Sequence, residues 1–384
     1  MKPIIFNPSL HQQRHQFVIS LVDTYQPKKV ADLGCNRCSL LQRLRFNECI
    51  EELVGLDINE NLLACKKNRL QPLIIHYIEP IKNPLTVSLY HGSVTEKDPA
   101  LLGFDLISCI ELIEHLEKDD LEKFKDTLFG YMAPLRVVIS TPNSEFNFLF
   151  PNLVGFRHAD HKFEWTREEF QNWATDVSSC YNYSVEFSGV GEPPAYAGDV
   201  GFCSQIGLFT RNYVESDEEL MKKREYKSVY KTVFRVDYPS LKDEKYLRNE
   251  VLKKALSEAN RLKRQLLQRL FPKDEEEEEE EAAKLTENEQ TSQRLSDTFS
   301  YLEPESQIEE DKDLEPFLEG NTIHVPIERL IRVPKVKELC GSLDVLKTMI
   351  SEDNSVGCDG ISVLYDVDLE NDYDIIGTPY HLSL

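Results

Sequence analysis

With 384 residues, 41% of them hydrophobic and 29% charged, the chain has the composition of a globular protein and the length for one large domain or two ordinary ones. A formal charge of −23 excludes a globally basic surface for long nucleic acid, so any contact with nucleic acid must be local. Nine cysteines without a paired framework, no signal-peptide pattern and no apolar run of membrane-spanning length predict a cytosolic or nuclear protein.

The first 212 residues alternate between strand-like and helix-like segments. Strands are predicted at 29–34, 52–57, 87–93, 104–110 and 136–141. Helical spacing continues in TREEFQNWATDV, after which YNYSVEF and GFCSQIGLF alternate like strands. Such alternation predicts an α/β fold, a doubly wound, Rossmann-like sheet with helices on both faces. In such sheets the ligand site lies at the carboxyl ends of the strands.

The turn DLGCNRCS after the first strand occupies the place of a nucleotide-binding loop. It contains one glycine, Gly34, and lacks G-x-G-x-x-G, which disfavours a nicotinamide or flavin enzyme. A single glycine still permits close approach of an adenosine that carries an amino-acid arm. Asp57, at the end of the second strand, can accept hydrogen bonds from both hydroxyls of a ribose, although a strand-end Asp is often a helix N-cap. Together with Asp32 and Gly34 of the D-x-G sequence, Asp57 favours S-adenosylmethionine as the ligand.

Two other features accompany this predicted cofactor site. Ser93 and Asp98 bracket the loop after the third strand, where an adenine edge could be read. Cys35 and Cys38 form a C-x-x-C inside the cofactor turn. Because no second cysteine pair stands at zinc-ribbon spacing, we do not expect a zinc or redox role for them.

A candidate metal site follows the fourth strand. Glu111, Glu114 and His115 stand at i, i+3 and i+4, which on a helix puts their side chains on one face. His161, in FRHADHKFEWTREEF, is predicted to emerge beside the end of that strand and to complete a set of two glutamates and two histidines. Such ligands suit Mn²⁺, Co²⁺ or hydrated Mg²⁺. The alternative is that ELIEH forms a solvated first helical turn, with its glutamates favoured by the helix dipole.

Beyond residue 212 the sequence becomes charged and acidic. We predict a charged helical segment at 213–273, with an apolar stripe at 247–270 that packs on the first domain or acts as a docking helix. An acidic disordered linker at 274–320 and a C-terminal tail with short ordered segments at 321–384 follow. The catalytic domain is thus predicted to be 1–212, followed by a mostly helical or disordered region that is dispensable for activity.

The segments ELIEHL and RHADHKFEWTREEF, with ADLGC and VGLDI upstream, resemble the small-RNA 3′-terminal 2′-O-methyltransferases of the Hua-enhancer type. The resemblance implies S-adenosylmethionine as methyl donor and a divalent metal, Mg²⁺ or Mn²⁺, bound by Glu111, Glu114, His115 and His161. It implies as acceptor the 2′-hydroxyl of the last nucleotide of a small single-stranded RNA, whose 3′ end is thereby protected. The long N-terminal extensions of plant members are missing. The chain is therefore similar to the animal type, which modifies RNAs presented by PIWI-type Argonaute proteins, in the cytoplasm and its RNA granules.

The chemistry of this reaction assigns roles to the histidines. A 2′-hydroxyl holds its proton tightly near pH 7, and coordination to a divalent ion lowers its pKa so that a nearby histidine can take the proton. Either His115 or His161 serves as this base as well as a ligand. A metal that contacts both the 2′- and 3′-hydroxyls would accept only a terminal ribose.

Substrate contacts and the overall function leave alternatives open. Arg14 and Arg157 are candidates for phosphate contacts, and Phe163 and Trp165 either stack on a base or, as we prefer, pack in the core. A metal-assisted O-methyltransferase for a catechol-like molecule, with vicinal hydroxyls that chelate in the same way, is compatible with the fold. A non-catalytic scaffold would predict the loss of metal positions, and all four are retained.

Overall fold

In the computed structural model the chain forms two compact units, Met1–Lys242 and Asp243–Leu384. The residues that the structure describes are 4–151, 153–213, 216–272 and 314–367. Within these ranges, no helix combines the length and the apolar character that a membrane span requires.

The first unit is built on an eight-stranded sheet. Its strands are β1 (Lys29–Leu33), β2 (Glu52–Asp57), β3 (Thr86–His91), β4 (Leu106–Ile110), β5 (Arg136–Pro142), β6 (Tyr183–Val190), β7 (Ser204–Arg211) and β8 (Lys231–Asp237). The order across the sheet is β6-β7-β5-β4-β1-β2-β3-β8. The five central strands are parallel, and β6, β7 and β8 pair with their neighbours in antiparallel fashion.

Among the described residues of this unit, seven α-helices accompany the sheet. They are α1 (Leu10–Tyr25), α2 (Ser39–Leu44), α3 (Glu60–Lys66), α4 (Ile74–Ile78), α5 (Lys118–Lys125), α6 (Arg167–Tyr181) and α7 (Asp217–Arg224). Successive residues of a strand enter different cores, as Val137 and Val138 of β5 show. One core includes Leu121 of α5 and Phe170 of α6, and the other includes Val18 of α1. The predicted doubly wound α/β fold is therefore confirmed, with helices on both faces of the sheet.

The domain boundary differs from the one predicted at residue 212. Strand β8 lies beyond that point and pairs with β3 along the edge of the main sheet, so the first unit extends to Lys242. The side chains of β8 are mostly exposed or half-buried, and it begins at Lys231 and ends at Asp237. This charged composition is typical of an edge strand. It weakens the hydrophobic period of the segment, so strand β8 was not predicted from the sequence.

The second unit contains a long helix and a small antiparallel sheet. Its elements are α8 (Glu244–Leu270), β9 (Phe317–Glu319), β10 (Thr322–Pro326), α9 (Ile327–Leu330), α10 (Pro334–Cys340), α11 (Leu343–Ser351), β11 (Gly357–Cys358) and β12 (Ser362–Asp366). The sheet order is β11-β12-β10-β9. The apolar stripe predicted on the helix is largely buried, but it packs against residues such as Ile323 and Leu346 of its own unit.

The segments predicted for this region therefore need correction. Residues 321–367 form a packed unit rather than a tail with short ordered segments, because the stripe of α8 and the sheet share one core. The charged helical segment 213–273 contains α7, β8 and α8, of which only the last belongs to the second unit. The acidic linker predicted at 274–320 lies outside the described residues up to 313, and its last residues include β9.

Candidate active site

The cofactor loop, residues 33–38, turns at Gly34 directly after β1. The φ of Gly34 is +74°, and a Cβ atom at this position would lie 2.9 Å from Leu112 Cδ1. The N–H groups of Gly34 and Cys35 both donate to Leu56 O, at 2.8 and 3.1 Å, which ties the loop to the end of β2. Glycine is thus required for the left-handed turn and for the close approach of the segment after β4.

Asp32 lies at the end of β1 and is almost fully buried, at 5% exposure. Its Oδ1 accepts a hydrogen bond of 2.7 Å from Ser108 Oγ. Burial raises the pKa of Asp32 from 3.8 to about 7, opposed by the Ser108 hydrogen bond and reinforced by the charge of Asp57. A cationic group of a ligand beside Asp32 would favour the ionised form of the Asp32 carboxyl. A buried carboxyl of this kind therefore suits a positively charged cofactor.

Asp57 holds the cofactor loop in place. Its Oδ2 accepts from Asn36 N and its Oδ1 from Asn59 N, both at 2.8 Å. The N-cap of α3 is Asn59, whose side chain accepts from Leu62 N, so the helix-cap alternative for Asp57 does not describe this site. Each carboxylate oxygen retains acceptor capacity, so a ribose contact at Asp57 stays a prediction.

Ser93 and Asp98, in the loop after β3, have different environments. Ser93 is half-buried, and its Oγ lies 2.8 Å from Thr95 Oγ1. Asp98 is fully buried, and its Oδ2 accepts from Ser228 Oγ, Val229 N and Tyr230 N at 2.6 to 2.9 Å. The suggestion that Asp98 helps to read an adenine is therefore wrong, because its carboxylate anchors the chain that enters β8.

Cys35 and Cys38 are both buried free thiols. Their mutual hydrogen bond and burial raise the pKa of the Cys35 thiol well above its usual range. A protonated, buried thiol is a poor metal ligand and a poor nucleophile. The expectation that this C-x-x-C has no zinc or redox role stays a prediction.

Glu111 begins the turn after β4 with a positive φ of 50°. Its Oε1 accepts from Ser140 Oγ at 2.9 Å and from Ser204 Oγ at 2.6 Å, while its Oε2 lies 3.2 Å from Arg14 Nη1. The three residues Ile113–His115 form a 3₁₀ turn that excludes Glu111. The expected placement of all three ELIEH side chains on one helical face is therefore wrong.

Glu114, His115 and His161 form the one group of metal-ligating side chains found among the described residues. One ligand atom from each lies within 4.8 Å of the other two. Glu114 is fully buried, and only its Oε2 has a partner, Thr141 Oγ1 at 3.1 Å, whereas Oε1 has none. Burial, followed by the charge of Glu111, raises the pKa of Glu114 well above its usual range. A buried oxygen without a hydrogen bond is costly, and a cation between these side chains would satisfy it.

His161 is oriented by Glu164, a residue that sequence reasoning did not single out. The Nδ1 of His161 lies 2.6 Å from Glu164 Oε1, and the two side chains are 8% and 1% exposed. This contact leaves Nε2 as the free ligand atom, as in the carboxylate–histidine pairs of known metal sites. Lys162 N donates to Glu114 O at 2.7 Å, which joins the His161 loop to the ELIEH turn. The i, i+3 spacing of His161 and Glu164 in the segment HKFE is the feature of the sequence that could have identified Glu164.

His115 faces His161 edge to face, with 4.9 Å between ring centroids. Burial, with smaller contributions from His161 and His158, lowers the pKa of His115. The neutral imidazole is the form that binds a metal or accepts a proton. His158, which sequence reasoning also did not single out, is close to both rings. Its ring centroid lies 6.0 Å from that of His115 and 5.7 Å from that of His161.

The two arginines predicted to contact phosphate are both engaged within the protein. Arg157 donates from Nε to Asn147 Oδ1 at 2.6 Å and from Nη1 to Cys203 O at 2.9 Å, while its Nη2 donates to Asn143 O. The phosphate role of Arg157 is therefore wrong, because its guanidinium fixes the loop that carries His161. Arg14 pairs with Glu111, as described above.

Phe163 and Trp165 pack in the protein, which agrees with the preferred alternative. Their rings stack at a centroid distance of 4.2 Å and an angle of 25°. Trp165 also contacts Trp173, at 5.5 Å between centroids. Both residues are half-buried against the core that contains Phe170.

The structure therefore brings together three of the four predicted metal ligands and holds Glu111 beside them. The carboxylate of Glu111 contributes to the raised pKa of Glu114, so the two carboxyls interact. The predicted cofactor residues Asp32, Gly34 and Asp57 lie at the ends of β1 and β2. Because β4 pairs with β1, the two halves of the site share one edge of the sheet.

Comparison with known proteins gives consistent matches. Residues 245–367 match the family model described as the HENMT1 C-terminal domain. A protein named small RNA 2′-O-methyltransferase from Xenopus tropicalis is 57% identical, covering 95% of this chain and 98% of its own length. A Mus musculus protein of the same name is 45% identical over 97% of this chain and 93% of its own length.

One solved structure is also similar. A protein described as small RNA methyltransferase HEN1 matches with a TM-score of 0.52 and 32% identity. The match covers 62% of this chain and 28% of that chain.

Proposed function

The chain belongs to the small RNA 2′-O-methyltransferase family, and from this we infer that it methylates the 2′-hydroxyl at the 3′ end of small single-stranded RNAs. The methyl donor is S-adenosylmethionine. We propose further that the transfer depends on a divalent metal, Mg²⁺ or Mn²⁺, bound by Glu114, His115 and His161.

The observation that carries the metal proposal is the state of Glu114. Its Oε1 is buried without a hydrogen-bond partner and belongs to a group whose other donors are two imidazoles. One carboxylate oxygen and two imidazole nitrogens fit an ion of intermediate hardness. Glu111, the fourth predicted ligand, is held next to this group by Ser140, Ser204 and Arg14.

A divalent ion held there would supply Lewis acidity toward the 2′-hydroxyl of the RNA. The side chains of the protein supply orientation and a proton acceptor. Glu164 fixes the ring of His161 through Nδ1. Burial and the neighbouring histidines keep His115 neutral at pH 7, so its free nitrogen can bind the ion or accept the proton.

For the donor, we propose binding at Asp32, Gly34, Asp57 and Ser93. Gly34 allows the backbone to approach the ligand closely. Asp57 is fixed by two backbone N–H groups and keeps acceptor capacity for ribose hydroxyls. The raised pKa of Asp32 would fall toward its ordinary range beside the cationic group of S-adenosylmethionine.

The test is methyl transfer from labelled S-adenosylmethionine to a single-stranded RNA of small-RNA length, with Mn²⁺ or Mg²⁺. We expect label in an RNA that ends in 2′- and 3′-hydroxyls, and none in a matched RNA with a 2′-deoxy terminal nucleotide. Label in the 2′-deoxy RNA would contradict the assigned position. Undiminished transfer in excess EDTA would contradict the metal proposal alone.

We propose that a PIWI-type Argonaute protein presents the RNA, in the cytoplasm and its RNA granules. Support comes from the similarity to the animal type of the family and from the free cysteines of the described chain, which fit a reducing compartment. Co-purification of endogenously expressed protein with a PIWI-type Argonaute, and imaging of its location, would test both statements. Nuclear confinement would overturn the second.

A further inference from the structure

A polar cleft lies between α1 and the start of α2, outside the residues assigned above. Its volume is about 390 Å³. Its lining residues are Pro8, His11, Gln12, His15, Gln16, Ser39 and Arg43. None of the seven is acidic, although the whole chain has 67 Asp and Glu against 44 Lys and Arg. We call it the α1–α2 cleft.

The α1–α2 cleft adjoins the active site through two connections. Ser39 begins α2 immediately after the cofactor loop that contains Gly34. Arg14, which lies between the cleft residues Gln12 and His15 on α1, reaches Glu111 Oε2 with its Nη1 at 3.2 Å. The cleft therefore lies at the carboxyl edge of the sheet, on the α1 side of the ELIEH turn.

The chemistry of the cleft suits an anion. Arg43 is exposed, and within the described chain its guanidinium donates one hydrogen bond, to Gln16 Oε1 at 3.0 Å. A guanidinium has five N–H donors, so most of those of Arg43 are not used by a hydrogen bond within the described residues. The rings of His11 and His15 lie next to each other with 5.8 Å between centroids, and the Nδ1 of His11 lies 3.0 Å from Ser9 Oγ. An imidazole carries at least one N–H donor, so the two rings can supplement Arg43.

We propose that the α1–α2 cleft binds the phosphodiester backbone of the RNA next to its 3′-terminal nucleotide, with Arg43 as the phosphate contact. This inference rests on the proposed function, because only an RNA whose last ribose is in the active site has a phosphate at this edge. A protein of net charge −23 repels polyanions overall, so it needs a local site of this kind. The cleft then determines affinity for RNA without touching the reacting atoms.

The test compares three variants with the wild-type protein in RNA titrations. Arg43→Glu is expected to raise KM for RNA about tenfold, with kcat within about twofold, and to reduce the slope of log KM against log salt by about one. Arg43→Lys keeps the charge and should recover most of the affinity. Lys82→Glu makes the same change of charge just before β3, at the opposite edge of the sheet, and should leave KM unchanged.

A second measurement locates the contact along the RNA. In wild-type protein, one uncharged methylphosphonate among the last few linkages should raise KM about as much as Arg43→Glu does. The same substitution should add little in the Arg43→Glu protein, because the two changes remove one interaction. Equal penalties in both proteins would overturn the phosphate contact.

The remaining outcomes separate the two proposals. If the wild-type protein fails to methylate RNA, the proposed function fails. If it methylates RNA and Arg43→Glu leaves KM and the salt slope unchanged, the cleft inference alone is overturned. Weaker binding of S-adenosylmethionine by Arg43→Glu, with RNA affinity retained, would assign the cleft to the carboxylate of the cofactor and would also overturn it.

Discussion

At the scale of single residues, the active site combines groups that are costly in isolation. Glu114 is buried with one oxygen lacking a partner, and Asp32 is buried with one hydrogen bond from Ser108. Burial raises the pKa of both carboxyls. Such groups destabilise the ligand-free protein and become favourable when a cation is bound. Their burial supports the proposal that a cationic ligand binds beside each carboxyl.

Glu164→Gln tests how His161, a proposed metal ligand, is oriented. The 2.6 Å contact between Glu164 Oε1 and His161 Nδ1 makes the imidazole a better ligand, so its loss should lower affinity for Mn²⁺ about 10–100-fold. Calorimetric titration with Mn²⁺ measures this directly. The control is Glu168→Gln, an exposed carboxylate in the first turn of α6. Equal affinity in both variants would show that Glu164 has no role at the metal.

Asp32→Asn tests the buried carboxyl of the cofactor site. Because the pKa of Asp32 is about 7 when folded and 3.8 ordinarily, the folded protein binds the proton more tightly. The free energy of unfolding must therefore fall as pH rises from about 4 to 7, by at most about 4 kcal/mol from this group. We expect the ligand-free Asn variant to gain stability over wild type at pH 8 and not at pH 4, in urea unfolding. A difference independent of pH would contradict this.

At the scale of elements, β8 extends the sheet in a way that depends on one carboxylate. Asp98 accepts three hydrogen bonds from the chain just before β8 and one from Ala100 N at 2.8 Å. Tyr230 OH donates to Glu96 O at 2.8 Å, which ties the same segment to the loop after β3. The loop that carries Ser93 is therefore shaped by residues that enter β8.

Asp98→Asn should destabilise the first unit. An amide can accept at one atom only, so its NH₂ group would face either the N–H of Ala100 or the N–H groups of Val229 and Tyr230. We expect a loss of about 1–3 kcal/mol in the free energy of unfolding, together with weaker S-adenosylmethionine binding. Chemical unfolding and calorimetry measure the two effects. Asp120→Asn, on the first turn of α5, is the matched control, and equal stability of the two variants would contradict the anchoring role.

At the scale of the whole molecule, the chain divides into two units with separate cores. Every residue assigned here to the metal, the cofactor or the RNA lies in Met1–Lys242. The second unit carries the match to the HENMT1 C-terminal domain. We therefore expect catalysis to be separable from the second unit at Lys242 rather than at residue 212.

Two truncations test this boundary. A chain ending at Lys242 should fold and should methylate RNA in vitro with a kcat close to that of the full chain. A chain ending at residue 212 loses β8, exposes the edge of β3 and leaves Asp98 with one of its four hydrogen bonds, so it should unfold at lower temperature or aggregate. Circular dichroism with heating and the methyl-transfer assay distinguish them. A stable, active 1–212 protein would restore the boundary predicted from sequence.

Local patterns in the sequence were enough to predict the class of fold and to select the candidate residues of the site. Alternating apolar segments predicted the central strands, because buried parallel strands and amphipathic helices leave distinct local periods. The residues of D-x-G, Asp57, ELIEH and His161 were identified because chemistry-bearing side chains follow strand ends. The amide contacts of Asp57 and the group formed by Glu114, His115 and His161 agree with those assignments.

Which of these side chains meet, and what the others do, depends on how the folded chain places them. Glu111 leaves the helical face because its backbone turns to a positive φ, and Arg157 and Asp98 are used inside the protein. Strand β8 and the α1–α2 cleft were missed. Each depends on contacts between residues distant along the chain, and such contacts leave no local period in a sequence.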